Sequence, residues 1–138
     1  MRVKHDSKDI DVLGRIMRAE AQGEGIFGMM LVGNVVVNRV VVTCGVFKNI
    51  KTINNAVFQK GQFEGITIPL FNHAATTKEK EIALKCIKFW RAYPAYEALY
   101  FQNPGRGKPC KTRFWGPFEG RFKNHCFYNG DEGQSCGL

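Results

Sequence analysis

Leu13, Ile16 and Met17 recur at the three- and four-residue steps that draw one face of a helix, and Glu20 falls next on the same stripe. Asp9 and Asp11 near the start of this segment, with Arg15 and Arg18 near its end, suit the helix macrodipole. Gly23 is the expected left-handed stop, so the helix is predicted to end just past Glu20. From Ile26 to Val42 the chain is almost continuously apolar, interrupted by Gly28, Gly33, Asn34, Asn38 and Arg39. Its valine triplets favour strands by propensity, but the length and the lack of a turn signal predict a buried helix. Asn34 and Asn38, four apart, either hold that helix to a loop or reach a groove, and the structural role is the expectation, because buried amides satisfy backbone groups.

In KNIKTINNAVFQ, Ile50, Ile53, Val57 and Phe58 share a third helical face, with Thr52 as candidate cap. Gly61 to Phe71 holds two glycines and Pro69 and reads as loop. Thr76 with Glu79 forms a capping-box signature, and Ile82, Cys86, Phe89 and Trp90 give a fourth helical stripe that Tyr93-Pro94 ends. Ala98 to Pro104 and His125 to Tyr128 are aromatic-rich and predict two short strands that pair around the intervening loop. Nothing divides the chain, so residues 1–138 are expected to form one domain with its core at about 9–128 and a loosely ordered tail at 129–138.

Composition narrows the class. At 138 residues, 44% hydrophobic and 23% charged, the chain can bury a core without metals or bridges and is neither disordered nor fibrous in character. A formal charge of +8 implies attraction to a polyanion: nucleic acid, an acidic membrane or an acidic glycan. The N-terminal MRVKHDSKDID lacks the apolar segment of a secretory signal, so the expectation is synthesis and retention in a cytoplasm unless another route releases the protein. Five cysteines, Cys44, Cys86, Cys110, Cys126 and Cys136, are odd in number and irregularly spaced, so free or intermolecular thiols are the default expectation. None of the gaps is a Cys-x-x-Cys, which leaves a zinc ribbon unsupported.

The candidate chemistry starts at Glu20, an acid where an apolar residue belongs. Partial burial and the negative end of a helix both raise a carboxyl pKa, which describes a proton donor. Glu24 and Glu64 are the candidates for a second carboxylate. Competing readings exist. Arg106, Lys108, Lys111, Arg113 and Arg121, interleaved with Phe114, Trp115 and Phe118, would suit phosphates and bases in a nucleic-acid-binding module. Cys126 beside His125 would suit a cysteine amidase, but strand neighbours face opposite ways, and His73 would have to partner a cysteine from afar.

MRAEAQGEG, LVGNVVVNRV, TINNAVFQKGQFEG, ALYFQNP and RFKNHCFY, in that order, resemble the spore cortex-lytic cell-wall hydrolases of the SleB/CwlJ type. The likeness runs from about Asp9 to Tyr128 and is nearest to the short CwlJ-like branch without a secretion signal. It implies an α+β, lysozyme-like domain: several helices around a small antiparallel sheet, with a groove for a glycan strand. It also implies cleavage of the β-1,4 bond between muramic-type and glucosamine sugars of peptidoglycan, as a lytic transglycosylase. The family's motif glutamate falls on Glu20, the residue that the helix stripe singles out independently.

Gln59, Gln62 and Phe63 match the family's segment after the third helix and are candidates to hydrogen-bond or stack on sugar, the alternative being a surface loop anchored by Phe63. Tyr100, Phe101 and Tyr128 are candidates for a stacking wall, and His125 for orienting a catalytic group. A hydrolase would need Glu24 or Glu64 as second acid, whereas a transglycosylase needs none because the sugar's 6-hydroxyl attacks. The implied partners are glycan strands of the spore cortex and spore coat proteins, not nucleic acid or membrane. The implied place is the coat–cortex boundary, reached from the mother-cell cytoplasm. No cofactor is expected, and no metal, since Asp131 and Glu132 are too few for a calcium loop.

Overall fold

Asp6 opens the first helix with a reciprocal pair of bonds: its carboxylate accepts from the Asp9 N–H at 2.8 Å and the Asp9 carboxylate accepts from the Asp6 N–H at 3.1 Å. In the computed structural model, which describes residues 1–138, that helix is α1, Ser7–Ala21. A short 3-10 turn, Gln22–Glu24, leads into α2, Gly25–Val41. The stop between the two is not Gly23, as the sequence reading has it. It is Gly25, whose φ of 80° is open to glycine at no steric cost, while α1 itself ends at Ala21, just past Glu20 as predicted.

The apolar run at Ile26 is a helix after all, because it is sheathed on several sides. Met29, Val32, Val36 and Val40 join the main core with Leu13, Ile16 and Met17 of α1, while Leu31 and Val35 face a second cluster containing Ala98 and Phe127. A helix enclosed this way needs no polar face. Asn38 is fully buried and donates from Nδ2 to the carbonyls of Ala95, Tyr96 and Ala98, while the Oδ1 of Asn34 accepts from the Ala92 N–H at 3.0 Å. Both asparagines therefore fasten α2 to the segment entering the sheet.

The third helix, α3 at Ile53–Phe58, is capped by the Thr52 hydroxyl, which accepts from the Asn55 N–H at 3.0 Å. Ile53 and Val57 are buried as expected, but Phe58 is exposed and meets Phe71 edge-on. Residues 61–71, expected as loop, contain two 3-10 turns, Glu64–Thr67 and Pro69–Asn72. The fourth helix, α4 at Thr77–Lys88, carries the Thr76/Glu79 capping box. It ends before Phe89, which is exposed, so its inner stripe is Ile82, Cys86 and Ile87.

Three antiparallel strands complete the fold: β1, Ala98–Gln102, β2, Phe118–Phe122, and β3, His125–Asn129, in the order β1-β3-β2. β2 lies inside what reads as loop in the sequence, since most of its residues are exposed along an edge and Gly120 interrupts its side-chain pattern.

Cysteine usage also differs from expectation. Cys44 is bonded to Cys136 and Cys110 to Cys126, which leaves Cys86, buried against α2, as the free thiol. Connectivity of this kind depends on which chain segments meet in space, which spacing alone does not encode. The segment after Tyr128 is consequently not a loose tail. Besides the Cys44 bridge, the Cys136 carbonyl accepts from the Thr43 N–H at 3.0 Å and the Gln134 side chain accepts from the Val46 N–H at 3.1 Å.

Candidate active site

The site begins with Arg18, one turn before the end of α1. Its guanidinium is buried, paired with Glu79 of α4 at 2.7 Å, and donates to the carbonyls of Leu70 at 3.1 Å, Ala74 at 3.3 Å and His73. These bonds draw the 64–74 segment onto α1. There the N–H of Gly65 points at Glu20 and donates to Oε1 at 2.8 Å. Glycine is required at this spot for space: a Cβ on Gly65 would stand 2.9 Å from Glu20 Oε1, 2.9 Å from Ile16 Cδ1 and 3.0 Å from Ala19 Cβ.

Glu20 is half-buried, and burial raises its carboxyl above the ordinary range. The Gly65 N–H and the imidazole of His125 oppose that shift, while the Glu64 carboxylate adds to it; desolvation outweighs the rest. On one side of Glu20 opens a cavity of about 610 Å³, walled by Phe63, Tyr100, Phe101, Phe114 and Trp115. On the other side lies a smaller, mostly polar hollow of about 220 Å³. Glu20, Asn103 and His125 border both. An acid with a raised pKa therefore sits at the waist of a two-lobed groove.

Most residues expected at the site are there. Gln59, Gln62, Phe63, Glu64, Tyr100, Phe101 and His125 all line the larger lobe. Phe63 and Phe101 stack with centroids 5.7 Å apart and planes 20° apart, and the ring of His125 stands edge-on to Phe101 at 5.4 Å. Tyr128 is elsewhere. It is fully buried behind the groove between Phe114 and Phe118, and its hydroxyl donates to the Lys111 carbonyl at 3.0 Å, so it braces the wall from the rear.

The two further carboxylates are placed very differently. Glu24 is buried, and its oxygens accept from the Asn124 N–H at 3.2 and 3.3 Å and face Nδ1 of His125, a set of partners that already occupies the group. Glu64 is exposed on the rim.

Other residues enter the site unexpectedly. Arg39, which reads as a mere interruption of the apolar helix, lies in the cavity wall with its guanidinium 4.5 Å from the Phe47 ring, 4.7 Å from Phe63 and 5.5 Å from Tyr100. It donates from Nε to the Leu99 carbonyl at 2.8 Å and from a terminal nitrogen to Gln62 Oε1 at 2.9 Å. Burial lowers its pKa to about 10, so it is charged at neutral pH. The signal in the sequence is a lone cation on an apolar helix, which must find partners among rings and carbonyls. Trp115, 75% exposed at a φ of 63°, stands on the cavity's lip within a turn closed by the Phe114 N–H on the Gly116 carbonyl at 3.0 Å.

The competing readings fare less well in this geometry. Cys126 is in a disulfide and His73 is exposed, with its carbonyl held by Arg18, so no cysteine–histidine pair forms. In the basic loop Arg113 pairs with Asp131 at 2.6 Å, and Arg121 donates to the carbonyls of Lys108 and Lys123 at 2.7 Å each. Arg113 thus ties the loop to the segment after β3, and Arg121 ties it to the β2–β3 turn.

Comparison with known proteins places the chain in a family. The family described as Cell Wall Hydrolase matches residues 23–128, a span that begins three positions after Glu20. The cell wall hydrolase CwlJ of Halalkalibacterium halodurans is 43% identical over 129 residues, covering 92% of this chain and 89% of that protein. CwlJ of Bacillus subtilis is 40% identical over 126 residues, covering 91% and 88%. The catalytic domain of the germination-specific lytic transglycosylase SleB from Bacillus anthracis superposes with a TM-score of 0.72 at 22% identity, covering 91% of this chain and 97% of that one. The SleB catalytic domain of Bacillus cereus gives 0.73, also at 22% identity, covering 94% and 97%. The α+β fold is thus lysozyme-like, with its helices around a small antiparallel sheet, and the chain belongs to the cell wall hydrolase family.

Proposed function

We propose that the protein degrades spore-cortex peptidoglycan, cutting the β-1,4 bond between muramic-type and glucosamine sugars as a lytic transglycosylase. The observation that carries this reading is the half-buried Glu20, its carboxyl pKa raised by burial, at the waist of an aromatic-walled groove. Glu20 gives its proton to the glycosidic oxygen as the C–O bond breaks, and an oxocarbenium-like centre develops at C1. The 6-hydroxyl of the same sugar then closes on C1, its proton returns to Glu20, and the product carries a 1,6-anhydro end. The larger lobe holds the glycan by stacking on Trp115 and Phe101 and by hydrogen bonds to Gln59 and Gln62. Phe63 and Tyr100 back these contacts.

The placement of the other acids favours this route over a hydrolase with a second carboxylate. Glu24 is committed to Asn124 and His125, and Glu64 stands on the rim in solvent. Intramolecular attack by a sugar hydroxyl needs neither. The positive surface suits the carboxylates of peptide stems, and the working place in this reading is the coat–cortex boundary, next to spore coat proteins.

Mass spectrometry of muropeptides from purified, decoated cortex tests the reading, with Glu20→Gln as the control. Anhydro ends from the native protein and none from the variant are expected. Reducing ends would make it a hydrolase, and untouched cortex together with salt-sensitive DNA binding would make it a nucleic-acid-binding module.

A further inference from the structure

His125 is a buried titratable group at the site to which the chemistry above gives no work. It is 5% exposed, it borders both lobes of the groove beside Glu20, and its Nδ1 is engaged by the Glu24 carboxylate. Because a carboxylate accepts and does not donate, that contact fixes the proton on Nδ1 and leaves Nε2 as the ring's free nitrogen. The orienting acid is itself held: the Asn124 N–H donates to both of its oxygens, and Lys123 Nζ donates to its main-chain carbonyl at 3.2 Å. The face of Phe101, against which His125 stands edge-on, limits rotation of the ring. An acid that orients a histidine whose other nitrogen is free is the arrangement that makes an imidazole a base.

We propose that His125, oriented by Glu24, is the general base that takes the proton of the attacking hydroxyl and hands it to Glu20. The inference rests on the glycosidase reading above and deepens it. As the new C1–O bond forms, the hydroxyl proton moves to Nε2, giving an imidazolium beside the newly ionised Glu20 carboxylate. Transfer of that proton to Glu20 restores a neutral ring and a protonated acid, so the cycle closes with no other reactant. His125 is near enough for its charge to lower the Glu20 carboxyl. Acid and base are then on the same side of the sugar, the side from which the leaving oxygen departs and the 6-hydroxyl arrives. The charged groups around the imidazole are Glu20 on α1, Glu24 in the α1–α2 turn and Lys123 in the β2–β3 turn, with Glu64 beyond Glu20; β1 contributes the uncharged Phe101 ring.

The test is muropeptide release by His125→Gln, His125→Ala and Glu24→Gln, each checked for folding by circular dichroism. Loss of a general base lowers the rate by about 100-fold or more in both His125 variants, and added imidazole restores at least about tenfold in His125→Ala. Glu24→Gln lowers kcat more than it raises KM and shifts the pH profile. A His125→Gln protein within about threefold of native, or an inactive His125→Ala that does not respond to imidazole, overturns the proposal. Should neither variant fold, proton NMR of the native imidazole decides, because its titration midpoint must move when Glu20→Gln is introduced. A midpoint that stays put refutes the link. A native protein that releases nothing from cortex sinks the functional reading itself, whereas an active native protein with an active His125→Gln sinks the proton transfer alone.

Discussion

The carboxylate of Glu20 and the backbone N–H of Gly65, 45 positions apart in the chain, are joined by a 2.8 Å hydrogen bond. The bond holds one oxygen of an acid that borders both lobes of the groove. The absence of a side chain at Gly65 lets the loop carrying Glu64 approach α1 closely enough to make this bond.

Gly65→Ala therefore tests how finely the acid must be placed. The added methyl meets Glu20, Ile16 and Ala19 at about 3 Å, so the loop or the acid has to shift. The expected outcome is a rate lowered by about 100-fold from misplacement, with a stability loss of only about 1–3 kcal/mol from overpacking. Chemical denaturation alongside cortex digestion separates the two effects.

Glu20→Gln should abolish muropeptide release and change the pH dependence of stability. A carboxyl whose pKa is raised by folding binds its proton more tightly in the native state, so its contribution is full below the unfolded pKa and is lost as pH rises through the folded value. The amide cannot ionise. The melting temperature of the variant relative to the native protein is accordingly expected to be higher at pH 7 than at pH 4, as scanning calorimetry at the two values would show.

Trp115→Ala removes an exposed aromatic from the lip of the larger lobe, where the ring supports nothing in the core. Loss of sugar stacking should raise KM for soluble glycan fragments by about tenfold while kcat changes by less than about threefold. Fragment titrations followed by tryptophan fluorescence in the native protein give an independent binding constant.

Reduction of the two disulfides is expected to loosen the far wall. Cys44–Cys136 spans 92 positions and Cys110–Cys126 spans 16, so their removal should cost about 2–5 kcal/mol each. Urea unfolding with and without reductant measures the sum. Alkylation of the denatured, unreduced protein should label a single thiol, Cys86.

The helices were legible in the sequence because each announces itself locally: a three-and-four stripe in α1, a capping box in α4, a long apolar run in α2. Glu20 was legible for the same reason, as an acid breaking an apolar stripe. What escaped depends on contacts between distant segments. Phe118–Phe122 becomes a strand only because β3 lies beside it. Arg39 becomes part of the site only when Phe47, Phe63 and Tyr100 close around it, and Cys136 orders the tail only once it meets Cys44. Tyr128 shows the converse, since an aromatic in a groove-forming strand can as well face the interior, and here it does.

Arg39 has one more effect, which follows from the nature of its neighbours. A guanidinium held by rings and carbonyls, with a pKa near 10, keeps the same charge through the whole range in which carboxyl groups gain and lose protons. The positive charge that Arg39 itself places in the wall of the groove is therefore constant while Glu20 alternates between its two forms. Any ligand that carries an anion into the larger lobe meets the same attraction from this one cation in acidic and in neutral surroundings.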